Sequence, residues 1–170
     1  MKKILSEKIP RIIRNKKKLE KTLEVKISNR GKEVYLEGNA ENEYLAEKVI
    51  DAINLGFEIE DALSIKKEEK DFEIMNIKDY TKNKKLERIK SRLIGKEGKV
   101  LSTLRNLSEA HIQVHENQVG IISDPEILET LTQAIIQIIQ GAKQSHAYAF
   151  LEKNRPAPIY DLGLKEDKNL

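Results

Sequence analysis

The residues with the clearest chemistry run from Arg88 to Lys99: Arg88-Ile89-Lys90-Ser91-Arg92-Leu93-Ile94-Gly95-Lys96-Glu97-Gly98-Lys99. Gly95 and Gly98 stand three apart between two apolar-patterned segments. Neither carries a Cβ, so a sugar-phosphate chain can approach the backbone closely, and the turn can adopt dihedrals closed to other residues. A helix expected to begin at Lys99 would aim its free N–H groups and positive dipole end at phosphate. Lys90, Arg92, Lys96 and Lys99 add cationic side chains around the same point, with Arg88 and Ser102 at either end. Glu97 opposes phosphate unless it turns away or pairs with Arg92 or Lys99, and an exposed pair of that kind is worth only ~0–1 kcal/mol. This chemistry is a reversible grip on a polyanion. Apolar side chains beside the loop, Ile94, Leu101, Ile112 and Val114, are candidates to floor a groove for unstacked bases.

The surrounding pattern places that loop. Phe72–Ile77 reads as a strand and Thr81–Lys85 as a polar connection. Leu86, Ile89, Leu93 and Ile94 share one helix face, and Val100, Leu101, Leu104 and Leu107 share another after the glycines. Ile112 and Val114 alternate in a strand, Glu116-Asn117 is a tight turn, and Val119, Ile121 and Ile122 begin the return strand. Asp124-Pro125-Glu126 is a helix start, with Asp124 as cap and Pro125 at the first helical position. Ile127, Leu128, Leu131, Ile135, Ile138 and Ile139 follow, and a last short helix spans about 145–153. The order is strand, helix, glycine loop, helix, strand, strand, helix.

The first half repeats that alphabet less clearly. A short helix over Lys16–Glu24, a hairpin over Val25–Leu36 and a helix over Asn42–Asn54 are expected, then a short helix within 58–67 and a charged linker at Lys66–Asp71. Arg14-Asn15-Lys16-Lys17 stands where a second glycine loop would fall, and Pro10–Ile27 is too short for two full helices and a loop. The parallel suggests an internal duplication with a period of roughly 70–80 residues.

The 170 residues carry a net charge of +3, unevenly spread. Residues 1–30 balance to +8, 31–81 to −8, 82–105 to +7 and the remainder to −4. Concentrated positive charge is the electrostatic footprint of a polyanion partner. The acidic stretch has no paired-acid or metal-loop spacing; it is either a solvated face, a dock for a basic protein, or a device that keeps the first half off RNA. With no cysteine there is no disulfide, zinc knuckle or thiol nucleophile. No stretch has the ~18–20 apolar residues of a membrane span, and the start lacks the apolar segment of a secretory leader, so a cytoplasmic protein is expected. His111 and His115 face one side of a strand with no third metal ligand near them in sequence, and Ser145-His146 adjacency does not make a nucleophile–base pair. No metal, no cofactor and no catalytic set is expected. A nuclease would need clustered acids or a histidine with a base, and neither is visible. An adaptor that has lost RNA binding is the other alternative. The stretch Pro156–Leu164, apolar in a polar setting, is expected to be part of a flexible tail or to dock a partner.

The strand and helix order, with Gly95-Lys96-Glu97-Gly98 between the two helices, resembles a type I KH domain. The chain as a whole resembles the archaeal form of the small-subunit ribosome assembly factor known as the partner of Nob, best from Phe57 to Lys153. Phe72-Glu73-Ile74-Met75-Asn76-Ile77, the glycine loop, Val119-Gly120-Ile121-Ile122 and the closing Tyr148-Ala149-Phe150-Leu151-Glu152 carry the likeness. The resemblance implies an α+β chain of two tandem type I KH-like units (β-α-α-β-β-α), the first degenerate and without a glycine clamp. The expected divisions are a first unit at 1–57, a helical linker at 58–70, a KH domain at 71–153 and a tail at 154–170. It further implies binding of single-stranded rRNA near the 3′ end of small-subunit rRNA, within the pre-small ribosomal subunit, alongside a Nob-type endonuclease that trims that end. The alternative is a general single-stranded RNA-binding or protein-adaptor KH protein.

Overall fold

The computed structural model describes residues 1–155. The expected tail and docking segment from Pro156 onward lie outside the described residues. Among the described residues, six strands and eight α-helices run in the order β1 (Lys2–Leu5), α1 (Ile9–Arg14), α2 (Lys16–Leu23), β2 (Lys26–Arg30), β3 (Glu33–Glu37), α3 (Ala40–Leu55), α4 (Ile59–Lys67), β4 (Asp71–Asn76), α5 (Leu86–Ile94), α6 (Lys99–Ser108), β5 (His111–His115), β6 (Gln118–Ser123), α7 (Pro125–Ile139) and α8 (Gln144–Lys153). Two antiparallel sheets form, ordered β1-β3-β2 and β4-β6-β5. The β-α-α-β-β-α order therefore occurs twice, with the same strand arrangement each time.

The first unit departs from the sequence reading in its opening. β1 and α1 were not expected, and α1 and α2 meet at a single residue, Asn15. Two helices fit between Pro10 and Ile27 because they are six and eight residues long with no loop between them. Elsewhere capping sets the boundaries. The Asn39 side chain accepts the Asn42 N–H at 2.8 Å to open α3, and Gly56, at φ +103, closes it. Asp124 takes the cap position of α7, but its carboxylate pairs with Lys70 Nζ at 2.8 Å instead of accepting a helix N–H.

Strand β6 joins the two halves. Val119 through Ser123 are all buried, the pattern of a strand covered on both faces. Val119 and Ile121 join the core under α5, α6 and α7, whereas Ile122 joins the core of the first unit with Phe57, Leu63 and Ile65. Phe57 meets Phe72 edge to face, with ring centres 6.1 Å apart. Gly120 lets this contact close, because a Cβ there would lie 2.8 Å from both Leu55 Cδ1 and Phe57 Cε2. Of the stretch expected as a linker, most is the packed helix α4, with Ala62, Leu63, Ser64 and Ile65 buried. His111 and His115 also look toward this seam: His111 Nδ1 lies 3.6 Å from Asp61 Oδ2. No helix among the described residues is long and apolar enough to cross a membrane.

A cleft of about 610 Å³ opens along the seam, lined by Leu5, Asp51, Asn54, Ile74 and His115 among others. Burial, helped by the negative charge of Glu47, pushes the Asp51 carboxyl up from 3.8 to about 6. The folded chain thus holds this proton more tightly than the unfolded chain. The stability linked to Asp51 is fullest below about pH 4 and is lost as pH rises through about 6. Asp51→Asn should therefore raise the melting temperature at pH 7–8, with the gain shrinking toward zero at pH 4; a gain independent of pH would contradict the assignment. Gly120→Ala should cost about 1–3 kcal/mol in urea unfolding, and an unchanged midpoint would show that the two halves do not close on this strand.

Candidate nucleic-acid interface

Helix α5 ends where Gly95 turns the chain. Its N–H donates to the Ser91 carbonyl at 2.8 Å, and its φ of +78 with ψ of 171 lies in a region essentially confined to glycine. A tight turn follows over Lys96–Gly98, held by the Gly98 N–H donating to the Gly95 carbonyl at 3.1 Å. Glu97 and Gly98 are both left-handed, with φ of +55 and +73, and α6 begins at Lys99.

The two glycines have different tasks. A Cβ on Gly95 would press into the Val100 side chain and lie 2.8 Å from the Val100 nitrogen, whereas one on Gly98 would meet nothing within 4 Å. Gly95 is therefore demanded by packing and conformation. Gly98 presents bare backbone to open space at the start of α6, where the helix dipole is positive.

The candidate side chains differ in exposure and in what they pair with. Arg88, Lys96, Lys99 and Ser102 are exposed, and the three cations among them have no ion-pair partner among the described residues. Lys90 is half-buried and lies 3.5 Å from Glu87 Oε1. Glu97 is exposed and pairs with neither Arg92 nor Lys99 among the described residues.

Arg92 differs from the expectation of a free cation. Its guanidinium donates to the carbonyls of Ile138 at 3.2 Å and Ala142 at 2.6 Å, so it caps the carboxyl end of α7 and pins α5 to it. Leu101 and Ile112, expected as groove floor, are only 7% and 1% exposed and belong to the core. Ile94 and Val114 remain partly exposed on its edge. Leu101 and Ile112 thus support the surface from below.

Arg105 was counted only as part of the basic block. Its Nε donates to the Ile112 carbonyl at 3.2 Å, and its Nη2 donates to the same oxygen. It clamps α6 to β5, an edge strand that pairs only with β6. Nothing in the local sequence marks this contact, which depends on the helix–strand packing. Ser145 and His146 are both exposed at the start of α8. Among the described residues no three His, Cys, Asp or Glu side chains gather as for a metal ion.

With that geometry in place, likeness to known proteins becomes informative. Residues 71–156, half of the chain, match the family described as eukaryotic type KH-domain (KH-domain type I). A KH domain-containing protein of Methanocaldococcus jannaschii is 33% identical over 111 residues, covering 65% of this chain and 49% of that protein. The pre-rRNA-processing protein pno1 of Emericella nidulans is 26% identical over 111 residues, covering 63% of this chain and 43% of its own length. The chain spans about half the length of the curated relatives it matches. Among solved structures, Dim2p from Pyrococcus horikoshii is similar with a TM-score of 0.81 at 26% identity, covering 89% of this chain and 98% of that one. A chain in the complex of a/eIF2alpha, aDim2p and rRNA from the same organism gives 0.80 at 25% identity, covering 89% and 92%.

The unequal glycines yield a stability test. Gly95→Ala should cost about 2–4 kcal/mol from combined strain and overpacking, and Gly98→Ala only about 1 kcal/mol from its left-handed backbone. Equal losses in urea unfolding would contradict the division of roles.

Proposed function

The chain belongs to the eukaryotic type (type I) KH-domain family, and from that premise we propose that it is an RNA-binding factor of small ribosomal subunit assembly. It holds single-stranded rRNA near the 3′ end of the small-subunit rRNA and assists maturation of that end. The observation that carries this reading is Gly98: open backbone at the mouth of α6, flanked by the exposed cations Arg88, Lys96 and Lys99. About four nucleotides would lie across the Gly95–Gly98 loop, as KH modules bind, with Ile94 and Val114 against the bases. Phosphates would meet the Gly98 backbone and Lys96, Lys99 and Arg88. Arg92, Leu101 and Ile112 would hold the surface in place from behind.

Two likenesses support the ribosomal assignment. One relative is a pre-rRNA-processing protein, and one structural neighbour was solved with rRNA and a/eIF2alpha. On this reading the chain acts by binding and catalyses nothing itself, works in the cytoplasm on the pre-small subunit, and presents its RNA to a Nob-type endonuclease. The division at 1–57, 58–70, 71–153 and 154–170 is proposed with it. The adaptor alternative is weakened by the acidic stretch itself, since Glu33, Glu47, Glu58 and Glu60 are paired with cations of this chain's own first segment.

Gly98→Asp is the decisive variant, because it sets a carboxylate in open space and leaves the packing untouched. It should abolish binding of a short single-stranded RNA in a filter assay while the melting curve keeps its shape. Lys96→Ala should weaken all sequences alike and lower the slope of log affinity against log salt by about 0.7. Full affinity in the Gly98→Asp chain would overturn the proposal.

A further inference from the structure

The two units share an arrangement that lets their surfaces be compared residue by residue. Helices α2 and α6 occupy the same place in the order and pack through Leu19 and Leu104, each fully buried. Each ends in a left-handed glutamate, Glu24 at φ +55 and Glu109 at φ +57. Each then feeds an edge strand with one buried isoleucine, Ile27 or Ile112. On that correspondence Lys16 stands where Leu101 stands, and Asn29 where Val114 stands. The apolar edge that Val114 offers to bases is therefore polar in the first unit, and the leucine packed beneath it is replaced by an exposed lysine.

The loop is replaced as well. The Asn15 N–H donates to the carbonyls of Arg11 and Ile12, and its side-chain amide donates to the Arg11 carbonyl at 2.8 Å. The α1–α2 junction has no glycine, so it presents side chains to a ligand rather than backbone without a Cβ.

Ion pairing sorts most cations of this unit into two groups; the half-buried Lys8 and Lys48, before α1 and on α3, also have no acidic partner among the described residues. Lys2, Lys3, Arg11, Lys18 and Lys32 each have an acidic partner. Arg14, Lys16, Lys17, Lys21, Lys26 and Arg30 have none among the described residues, and all six are exposed. Four of them sit together by element, Arg14 at the end of α1 and Lys16, Lys17 and Lys21 on the exposed side of α2; Lys26 and Arg30 alternate with the buried Ile27 and so point to the other face of the sheet, across from Glu37 and Glu33. The two acids on α2 and its cap are otherwise engaged. Glu20 accepts the Ile27 N–H at 2.8 Å, and Glu24 pairs with Lys66 at 2.9 Å. Exposed cations left without counter-charges around the α1–α2 junction form a surface for a polyanion.

Resting on the RNA-binding reading above, we propose that this face of the first unit is a second RNA contact. It holds the phosphate backbone of a strand longer than the glycine loop can cover, without reading its bases. Affinity then has two parts: a short segment bound at Gly95–Gly98, and a longer, salt-sensitive contact along α1 and α2.

The test uses the triple variant Lys16→Gln, Lys17→Gln, Lys21→Gln, whose exposed substitutions keep good helix formers. Its affinity is measured over a range of salt for two probes: the tightest of a set of tetranucleotides, and an unstructured RNA of about 20 nucleotides containing it. The tetranucleotide should bind as it does to the unaltered chain. The long RNA should weaken by roughly ten- to a hundred-fold at ~0.1 M salt, with the salt slope falling by about 2. An unchanged long-RNA affinity and slope overturn the inference, as does an equal loss for both probes. Gly98→Asp in the same assay separates the two readings. If it removes tetranucleotide binding while the triple variant changes nothing, the glycine-loop reading stands and the second contact fails. If it leaves both probes unaffected, the glycine-loop reading fails and this inference with it.

Discussion

A polypeptide can grip a phosphate chain with its own backbone only where that backbone is bare, and only if the bare stretch does not move. Gly98 supplies the first condition and Gly95 the second. Gly95 sits against Val100 in a conformation other residues avoid, so the turn into α6 has one shape. Arg92 then ties α5 to the end of α7, and Arg105 ties α6 to β5. Both arginines spend their charge on carbonyls, which fixes the two helices around the loop. The remaining exposed cations are left for a ligand.

That rigidity reaches into the other unit. The β4-β6-β5 sheet is covered on one face by its own helices and on the other by the end of α3 and by α4. Gly120 sets the distance between the layers, and the Phe57–Phe72 contact closes them. The first unit is therefore a structural backing for the loop whatever else it does. Its acidic residues serve the same end, since several neutralise lysines of the first strand and helices. The exposed cations that survive that neutralisation on one surface are Arg14, Lys16, Lys17 and Lys21, on α1 and α2.

Much of this was legible in the sequence, for definite reasons. The second unit could be read because its helices carry whole apolar faces, Leu86 to Ile94 and Val100 to Leu107, and because glycines and Pro125 mark the boundaries. The run Val119 to Ile122 could be seen as a strand, though not that it would be buried on both sides. Strand β1 and helix α1 were missed because four and six residues are too few to show a period. The role of Arg92 was misjudged because its partners lie 46 and 50 residues away, and a guanidinium near a glycine loop looks free until the fold brings α7 to it. Leu101 and Ile112 have the right chemistry for a groove floor, but burial, which only packing decides, places them beneath it.

The account stands or falls on whether RNA meets the chain at the open glycine. Titrating a tetranucleotide into isotopically labelled protein and following the backbone amides tests this most directly. The largest shifts should fall on Gly98, Lys99 and their neighbours through Ser102, with Ile94 and Val114 at the margins. A chain that binds the RNA while the amides of 88–102 stay still would contradict it.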